Sequence, residues 1–329
     1  MPTTRKRRFL ITGGAGFIGS HLSEHLLAQG HRVLVLDDLS TGREGNIDRL
    51  RGREEFEFVR DSAENAPIVN LLMSQCDAVF HLASAVGVKL VAEEPIRTIR
   101  TTVHGTEVVL EAAHRFGRPI LITSSSEVYG KGTRVPFAED DDVVIGATSF
   151  SRWCYAYSKG IDEFLGLAYH RQYKLPVVLV RLFNTVGPRQ LGMYGMVLPR
   201  FVAAAISGKP VQVYGDGNQS RCFCHVSDVI GALAKLMETP RSAGQVFNLG
   251  HDQEVSINDL AARVIKLAGS ASTVQHIPYD EAYGQSFDDL PRRVPKLDRI
   301  RAAIGFSPRF NLDQIIQSVI DQQRKEASV

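Results

Sequence analysis

The stretch that most constrains this chain is Thr12-Gly13-Gly14-Ala15-Gly16-Phe17-Ile18-Gly19, which follows an apolar run and opens a helical pattern. Three glycines spaced three apart serve three tasks: a tight turn, close approach of backbone to a diphosphate, and close packing of helix on strand. The helix start beyond them offers free N–H groups and a partial positive charge to an anion. Gly13, Gly16, Phe17, Ile18 and Gly19 are therefore expected to hold a dinucleotide at the first strand–helix turn of a parallel sheet.

The first 180 residues agree with that geometry. Short apolar runs at 9–12, 32–36, 57–59, 78–82, 120–123 and 177–180 alternate with helical patterns, clearest at 18–29, 96–116 and 155–173. Near-continuous apolar strands suit burial on both faces, and strand–helix alternation implies right-handed crossovers. The expected fold class is α/β: a Rossmann-type doubly wound parallel sheet with a smaller C-terminal substrate-binding domain. After Arg181, glycine and proline punctuate the chain at 187–188, 208–210 and 215–217. An apolar run at 246–249 returns to the sheet, and helical patterns at 257–268 and 312–324 close the chain. The expected dinucleotide domain is 1–182 with 226–250 returning to it; the substrate domain is 183–225 with 251–329.

Composition removes other classes. A chain of 329 residues buries roughly 75% of its unfolded surface and needs no disulfide staple. Its four cysteines form no C-x-x-C pair, so neither a zinc site nor a disulfide framework is expected. Cys222-Phe223-Cys224 reads as a half-buried strand. Lys+Arg 38 against Asp+Glu 36 lacks the basic excess of a nucleic-acid binder. No apolar run approaches the ~18 residues of a membrane span, and the basic opening segment carries no cleavage pattern. A cytoplasmic, soluble protein is expected.

Asp37 ends the second strand, with Asp38 beside it. A carboxylate there accepts from both ribose hydroxyls and repels a 2′-phosphate, which favours NAD over NADP. Asp61, after the third strand, is either an adenine-side contact or a turn residue. Tyr155 and Lys159 stand four apart on one helix face. The ammonium is expected to lower the phenol pKa, so that Tyr155 removes a hydroxyl proton as hydride leaves the same carbon. Ser124-Ser125-Ser126-Glu127 comes after the fifth strand at its carboxyl end, the edge where open α/β sheets bind ligands.

These residues resemble the extended short-chain dehydrogenase/reductase family, in its branch of nucleotide-sugar epimerases, dehydratases and decarboxylases. The resemblance extends through His81-Leu82-Ala83-Ser84, Arg181-Leu182-Phe183-Asn184-Thr185-Val186-Gly187-Pro188-Arg189, Val213-Tyr214-Gly215-Asp216-Gly217, Ser220-Arg221-Cys222-Phe223 and Phe247-Asn248-Leu249-Gly250. It implies a tightly held NAD and oxidation of the sugar C4 hydroxyl, with Tyr155 as base and Ser125 on the C4 oxygen. Lys159 would also hold the nicotinamide ribose. It further implies cofactor contacts at Asp61, Ser62, Leu82, Ala83 and Ser84. Substrate contacts are implied at Val86, Lys89, Ser126, Val197 and Tyr214, with Asn184, Arg221 and Arg293 on a nucleotide diphosphate. UDP is the implied nucleotide. Family members usually form homodimers, here through 96–116 and 155–173.

The family divides over the fate of the C4 ketone. Dehydratases carry Asp-Glu where this chain has Ser126-Glu127, so dehydration is disfavoured. UDP-glucuronate decarboxylases share Ser126-Glu127-Val128-Tyr129-Gly130 and an arginine three before the tyrosine, here Arg152, suited to a C6 carboxylate. Against this, Gly87-Val88-Lys89 is similar to the corresponding loop of UDP-sugar 4-epimerases. The main expectation is a UDP-sugar 4-epimerase, of UDP-glucuronate or UDP-glucose type, and the alternative is a UDP-glucuronate decarboxylase. A non-catalytic NAD sensor is the remote third reading, opposed by the presence of both Tyr155 and Lys159.

Overall fold

The computed structural model describes residues 6–85, 87, 91, 93–192, 196–283 and 292–327. Val86, Val88 and Lys89 lie outside the described residues. The strands are β1 (Arg8–Thr12), β2 (Arg32–Leu36), β3 (Phe56–Val59), β4 (Ala78–His81), β5 (Ile120–Ser125), β6 (Val177–Leu182) and β7 (Thr185–Val186). They continue as β8 (Val211–Tyr214), β9 (Ser220–Cys222), β10 (Cys224–His225), β11 (Gln245–Leu249), β12 (Glu254–Ser256), β13 (Val274–Ile277) and β14 (Arg292–Arg293). The helices are α1 (Phe17–Ala28), α2 (Ala66–Ser74), α3 (Pro95–Ile99), α4 (Gly105–Phe116), α5 (Trp153–Tyr173) and α6 (Val197–Ile206). Then come α7 (Val226–Glu238), α8 (Ile257–Leu267), α9 (Tyr279–Tyr283), α10 (Asp298–Ile304) and α11 (Leu312–Ala327).

Side-chain alternation along β1 shows how the sheet is wound. Phe9 and Ile11 enter an apolar layer shared with α1 and α7 through Leu22, Leu26, Val229 and Leu233. Leu10 points the other way, into a layer shared with α2 and α4 through Val69, Leu72 and Val109. Both faces are thus covered, and the protein has a Rossmann-type doubly wound fold. Seven parallel strands run in the order β11-β6-β5-β4-β1-β2-β3. From β1 the chain builds outward to β3, then crosses back to β4 on the other side of β1. The crevice between the carboxyl ends of β1 and β4 is the topological switch point where such sheets bind ligands.

A third apolar cluster, around Leu198, Phe201, Val213, Phe223, Leu260 and Ile316, holds the smaller lobe together. That lobe carries the β13-β8 pair and the β12-β9-β14 sheet. The run 246–249 lies within β11, which pairs with β6 at the sheet edge. Cys222-Phe223-Cys224 departs from the expected half-buried strand. It splits between β9 and β10, which belong to different sheets, and no residue of the three is more than 4% exposed. Phe223 packs in the smaller lobe and Cys224 in the main core, so this run is a crossing between lobes and both its faces are covered. The expected helix 96–116 is interrupted by a π-helical turn, Arg100–His104, between α3 and α4.

Two buried clamps fix the carboxyl ends of β5, β6 and β11. Arg181 on β6 donates to Glu163 on α5 through Nε at 2.9 Å and Nη2 at 2.7 Å. The hydroxyl of Ser124 donates to the same carboxylate at 2.6 Å. Asn248 on β11 accepts from the Tyr129 hydroxyl at 2.8 Å and donates to the Phe137 carbonyl at 2.9 Å. No helix among the described residues is long and apolar enough to cross a membrane.

Candidate active site

Gly13 has φ +72°, and a Cβ there would stand 2.8 Å from the backbone nitrogen of Ala83. The glycine is what allows the loop after β1 to lie against the chain leaving β4. A Cβ at Gly19 would strike the Gly13 carbonyl, so the first turn of α1 also depends on its absence. Asp37, 7% exposed, accepts from Ala15 N at 2.9 Å and Leu39 N at 2.8 Å. Burial pushes its pKa up against the pull of those backbone bonds. Asp61 accepts from Ser62 N at 2.7 Å and Asn65 Nδ2 at 3.0 Å, organising the turn before α2.

A continuous cavity of about 460 Å³ runs from this glycine cradle along the carboxyl ends of the strands into the smaller lobe. Every expected site residue within the described part lines it. At the cradle end are Gly13, Gly16, Phe17, Ile18, Gly19, Asp37, Asp38, Asp61, Ser62, Leu82, Ala83 and Ser84. Ser125, Ser126, Glu127, Arg152, Tyr155 and Lys159 line its centre, and Asn184, Val197, Tyr214, Arg221 and Arg293 extend it into the smaller lobe. Val86 and Lys89 lie outside the described residues.

At the centre, Ser125 ends β5 and its Oγ accepts from Glu127 N at 3.2 Å, starting the 3₁₀ turn Ser126–Tyr129. That cap sets the direction in which Glu127 leaves the backbone. The Glu127 carboxylate is bound by Arg152 Nη2 at 3.3 Å and by Arg293 Nη1. Burial pushes Glu127 up, but Arg293 and Arg152 outweigh it and hold its pKa down to about 2. Arg293 on β14 is the register partner of Arg221 on β9. Like charges side by side on a sheet are unfavourable, and Glu127 answers this pair, since Arg221 also lowers its pKa. Arg152 and Arg293, expected on a C6 carboxylate and a diphosphate, thus share an internal carboxylate.

At Tyr155 the expected effect of Lys159 is present but outweighed. Its phenol pKa is raised overall: burial is the largest cause, and Glu127 and Asp162 add to it. Lys159 and a hydrogen bond with Ser125 lower it, as expected, without prevailing. The Lys159 ammonium does not act on the phenol alone, because it donates to Asp162 Oδ2 at 3.1 Å. Behind them, the buried His81 ring joins Thr12 Oγ1 at 2.7 Å to Thr106 Oγ1 at 3.0 Å.

Other cavity residues escaped sequence reasoning. Arg200 stacks over the Tyr214 ring, 3.8 Å from its centroid. Gln219 donates to the Tyr214 carbonyl at 3.0 Å and to the Tyr279 hydroxyl at 2.9 Å. Tyr279 and Arg200 sit in no local motif; α6 packs on β8, and the pairing of β13 with β8 carries Tyr279 to the same cavity. Arg189 stood in a motif whose glycine and proline drew attention first. It has φ +70° and binds Glu24 of α1 at 2.9 Å.

Residues 9–250 match the family described as the NAD dependent epimerase/dehydratase family. A UDP-N-acetyl-alpha-D-glucosaminuronate decarboxylase of Bacillus cytotoxicus is 40% identical, over 97% of this chain and 98% of its own length. UDP-glucuronic acid decarboxylase 1 of Xenopus tropicalis is 35% identical, over 98% of this chain and 73% of its own. Among solved structures, a Bacillus cereus UDP-glucuronic acid 4-epimerase in complex with UDP-glucuronic acid and NAD superposes with a TM-score of 0.87. It is 26% identical, over 97% of this chain and 99% of that one.

Proposed function

Since the chain belongs to the NAD dependent epimerase/dehydratase family, we propose that it decarboxylates a UDP-linked hexuronic acid after transient oxidation at C4. Its residues fit NAD: Gly13 and Gly19 keep open a cradle that a Cβ would fill, and Asp37 lines the cavity there. NAD held there by Gly13, Gly19 and Asp37 would supply a reversible hydride acceptor for C4.

The chain's own residues supply the rest. Tyr155 accepts the C4 hydroxyl proton, with Lys159 and Ser125 opposing the effect of burial on its phenol. Ser125 binds the C4 oxygen. The resulting C4 ketone is β to the C6 carboxylate, so the C5–C6 electron pair flows toward the ketone as CO₂ leaves. The C4 oxygen then carries the developing negative charge, next to Ser125 and Tyr155, until C5 takes a proton from water in place of CO₂; when the C4 ketone is reduced again, Tyr155 gives its proton back to the C4 oxygen.

The observation that carries this reading is the Arg152–Glu127–Arg293 cluster in the cavity centre. Two guanidiniums that already hold one carboxylate are suited, by their fork geometry, to take a second from a substrate. The Bacillus cytotoxicus and Xenopus tropicalis relatives are both named decarboxylases, which favours the alternative over the 4-epimerase expected first. That expectation leaned on Gly87-Val88-Lys89, whose Val88 and Lys89 lie outside the described residues. The 40% identity favours a 2-acetamido sugar over glucuronate. Epimerisation stays as second reading on the 26% likeness to the Bacillus cereus enzyme.

A homodimer is part of the proposal. Ile96 and Ile99 of α3 and Tyr157, Ile161 and Phe164 of α5 are exposed, Ile96 and Phe164 at 76% each. The two helices make contact, so these side chains form an apolar surface suited to a second copy.

The test is incubation with NAD on UDP-N-acetylglucosaminuronate and UDP-glucuronate, with products resolved by chromatography and mass spectrometry. A product lighter by one CO₂ is expected, formed faster from the acetamido sugar. An isobaric product of altered retention would overturn decarboxylation in favour of 4-epimerisation.

A further inference from the structure

Lys159 and Asp162 stand three residues apart on α5, hence on one face. The Nζ of Lys159 donates to Asp162 Oδ2 at 3.1 Å, with side chains 2% and 0% exposed. The other carboxylate oxygen, Oδ1, is buried with no hydrogen-bond partner at normal distance among the described residues, although the Thr106 hydroxyl of α4 also faces the carboxylate and lowers its pKa. A carboxylate so far from water and only partly bonded is costly to keep ionised unless a cation answers it. The cation in contact is the lysine already assigned to the catalytic phenol.

We infer that Asp162 is a positioning residue for Tyr155: its carboxylate anchors the Lys159 ammonium and sets how much of that charge reaches the phenol. The inference rests on the reading of Tyr155 as proton acceptor. The groups facing these side chains single out Asp162. On its own helix the phenol meets Lys159 and Asp162; from the end of β5 and the turn beyond it the phenol meets Ser125 and Glu127. Glu127 is held by Arg152 and Arg293, with Arg221 also acting on it. Asp162 meets Lys159 and Glu163 on α5 and Thr106 from α4. Glu163 is bound to Arg181. His81 of β4, bonded to Thr106, stays neutral, since burial and then Lys159 push its pKa down to about 3. Asp162, whose pKa burial raises against the pull of Lys159 and Thr106, is therefore the carboxylate that shares Lys159 with the phenol.

Neutralising Asp162 should leave the ammonium's full field on Tyr155, so the phenol should ionise more readily. The experiment titrates the Tyr155 phenolate in the full chain with NAD bound, as the ultraviolet difference between the native chain and Tyr155→Phe. It is repeated in the Asp162→Asn background. The midpoint is expected to fall by about one pH unit, the lower range for a nearby charge. Asp162→Glu should return it toward the native value. The acid limb of kcat/KM for CO₂ release should fall by a similar amount, with KM little changed. An unchanged midpoint in folded Asp162→Asn would overturn the proposal. Suppose instead that Asp162→Asn does not fold while Asp162→Asn with Lys159→Met does. The carboxylate would then serve only to neutralise a buried ammonium, and the proposal would also fail. A shifted midpoint in a chain that releases no CO₂ would uphold Asp162 while removing the decarboxylase reading.

Discussion

Glu127 joins stability and recognition in one side chain. Its pKa is held near 2, below the ordinary 4.5. A depressed carboxyl contributes stability above its unfolded value and loses it as pH falls through the folded one. The native chain should therefore lose stability between about pH 4.5 and 2 through this residue. Glu127→Gln should be less stable at neutral pH, by about 1–3 kcal/mol for a hydrogen-bonded charge, and show a flatter pH dependence in that interval. Urea unfolding midpoints at pH 7, 4.5 and 3 check this, and parallel slopes for both proteins would refute it. Residues of this kind were legible as types and positions. Ser125, Glu127, Tyr155 and Lys159 could be named because each sits at a set offset from a strand end or along one helix. Their partners could not. That Arg293 meets Glu127 depends on β14 pairing beside β9, and two-residue strands leave no periodic trace. The raised phenol pKa of Tyr155 was missed for a related reason, because burial is a property of the assembled cavity.

Elements with a buried periodic pattern were legible nearly to their ends. The run read at 32–36 is β2, Arg32–Leu36, and the pattern read at 257–268 is α8, Ile257–Leu267. The π turn Arg100–His104 was not, because its i→i+5 bonding takes one extra residue into a single turn, a local change of phase too short to stand out within a long helical pattern. The loop after β1 is the element most dependent on its residues. Gly13→Ala adds a Cβ 2.8 Å from Ala83 N at a backbone position of φ +72°. Strain of that class costs about 1–3 kcal/mol. The melting temperature should fall and NAD should bind at least about tenfold more weakly, read by calorimetric titration. Unchanged binding in a folded Gly13→Ala would show that the loop accommodates the methyl without closing the cradle.

At the scale of the whole molecule, the apolar surface across α3 and α5 makes a prediction of its own. Phe164→Glu, at a side chain 76% exposed, should leave the fold intact and shift the sedimentation coefficient from dimer to monomer. A native chain that sediments as a monomer would remove the dimer from the proposal. The lobes themselves are less separable than their distinct apolar clusters suggest. The chain leaves the main sheet after β6 and builds β7 to β10 with α6 and α7. Only then does it supply β11 to cover the free edge of β6. During synthesis at about 5–20 residues per second, that edge stays bare for on the order of ten seconds. A chain cut short anywhere in 183–244 would keep it bare permanently, offering a row of unpaired amides to any neighbouring strand. The late strand is thus a seal as well as a support, and a nascent chain stalled before it would be prone to aggregate.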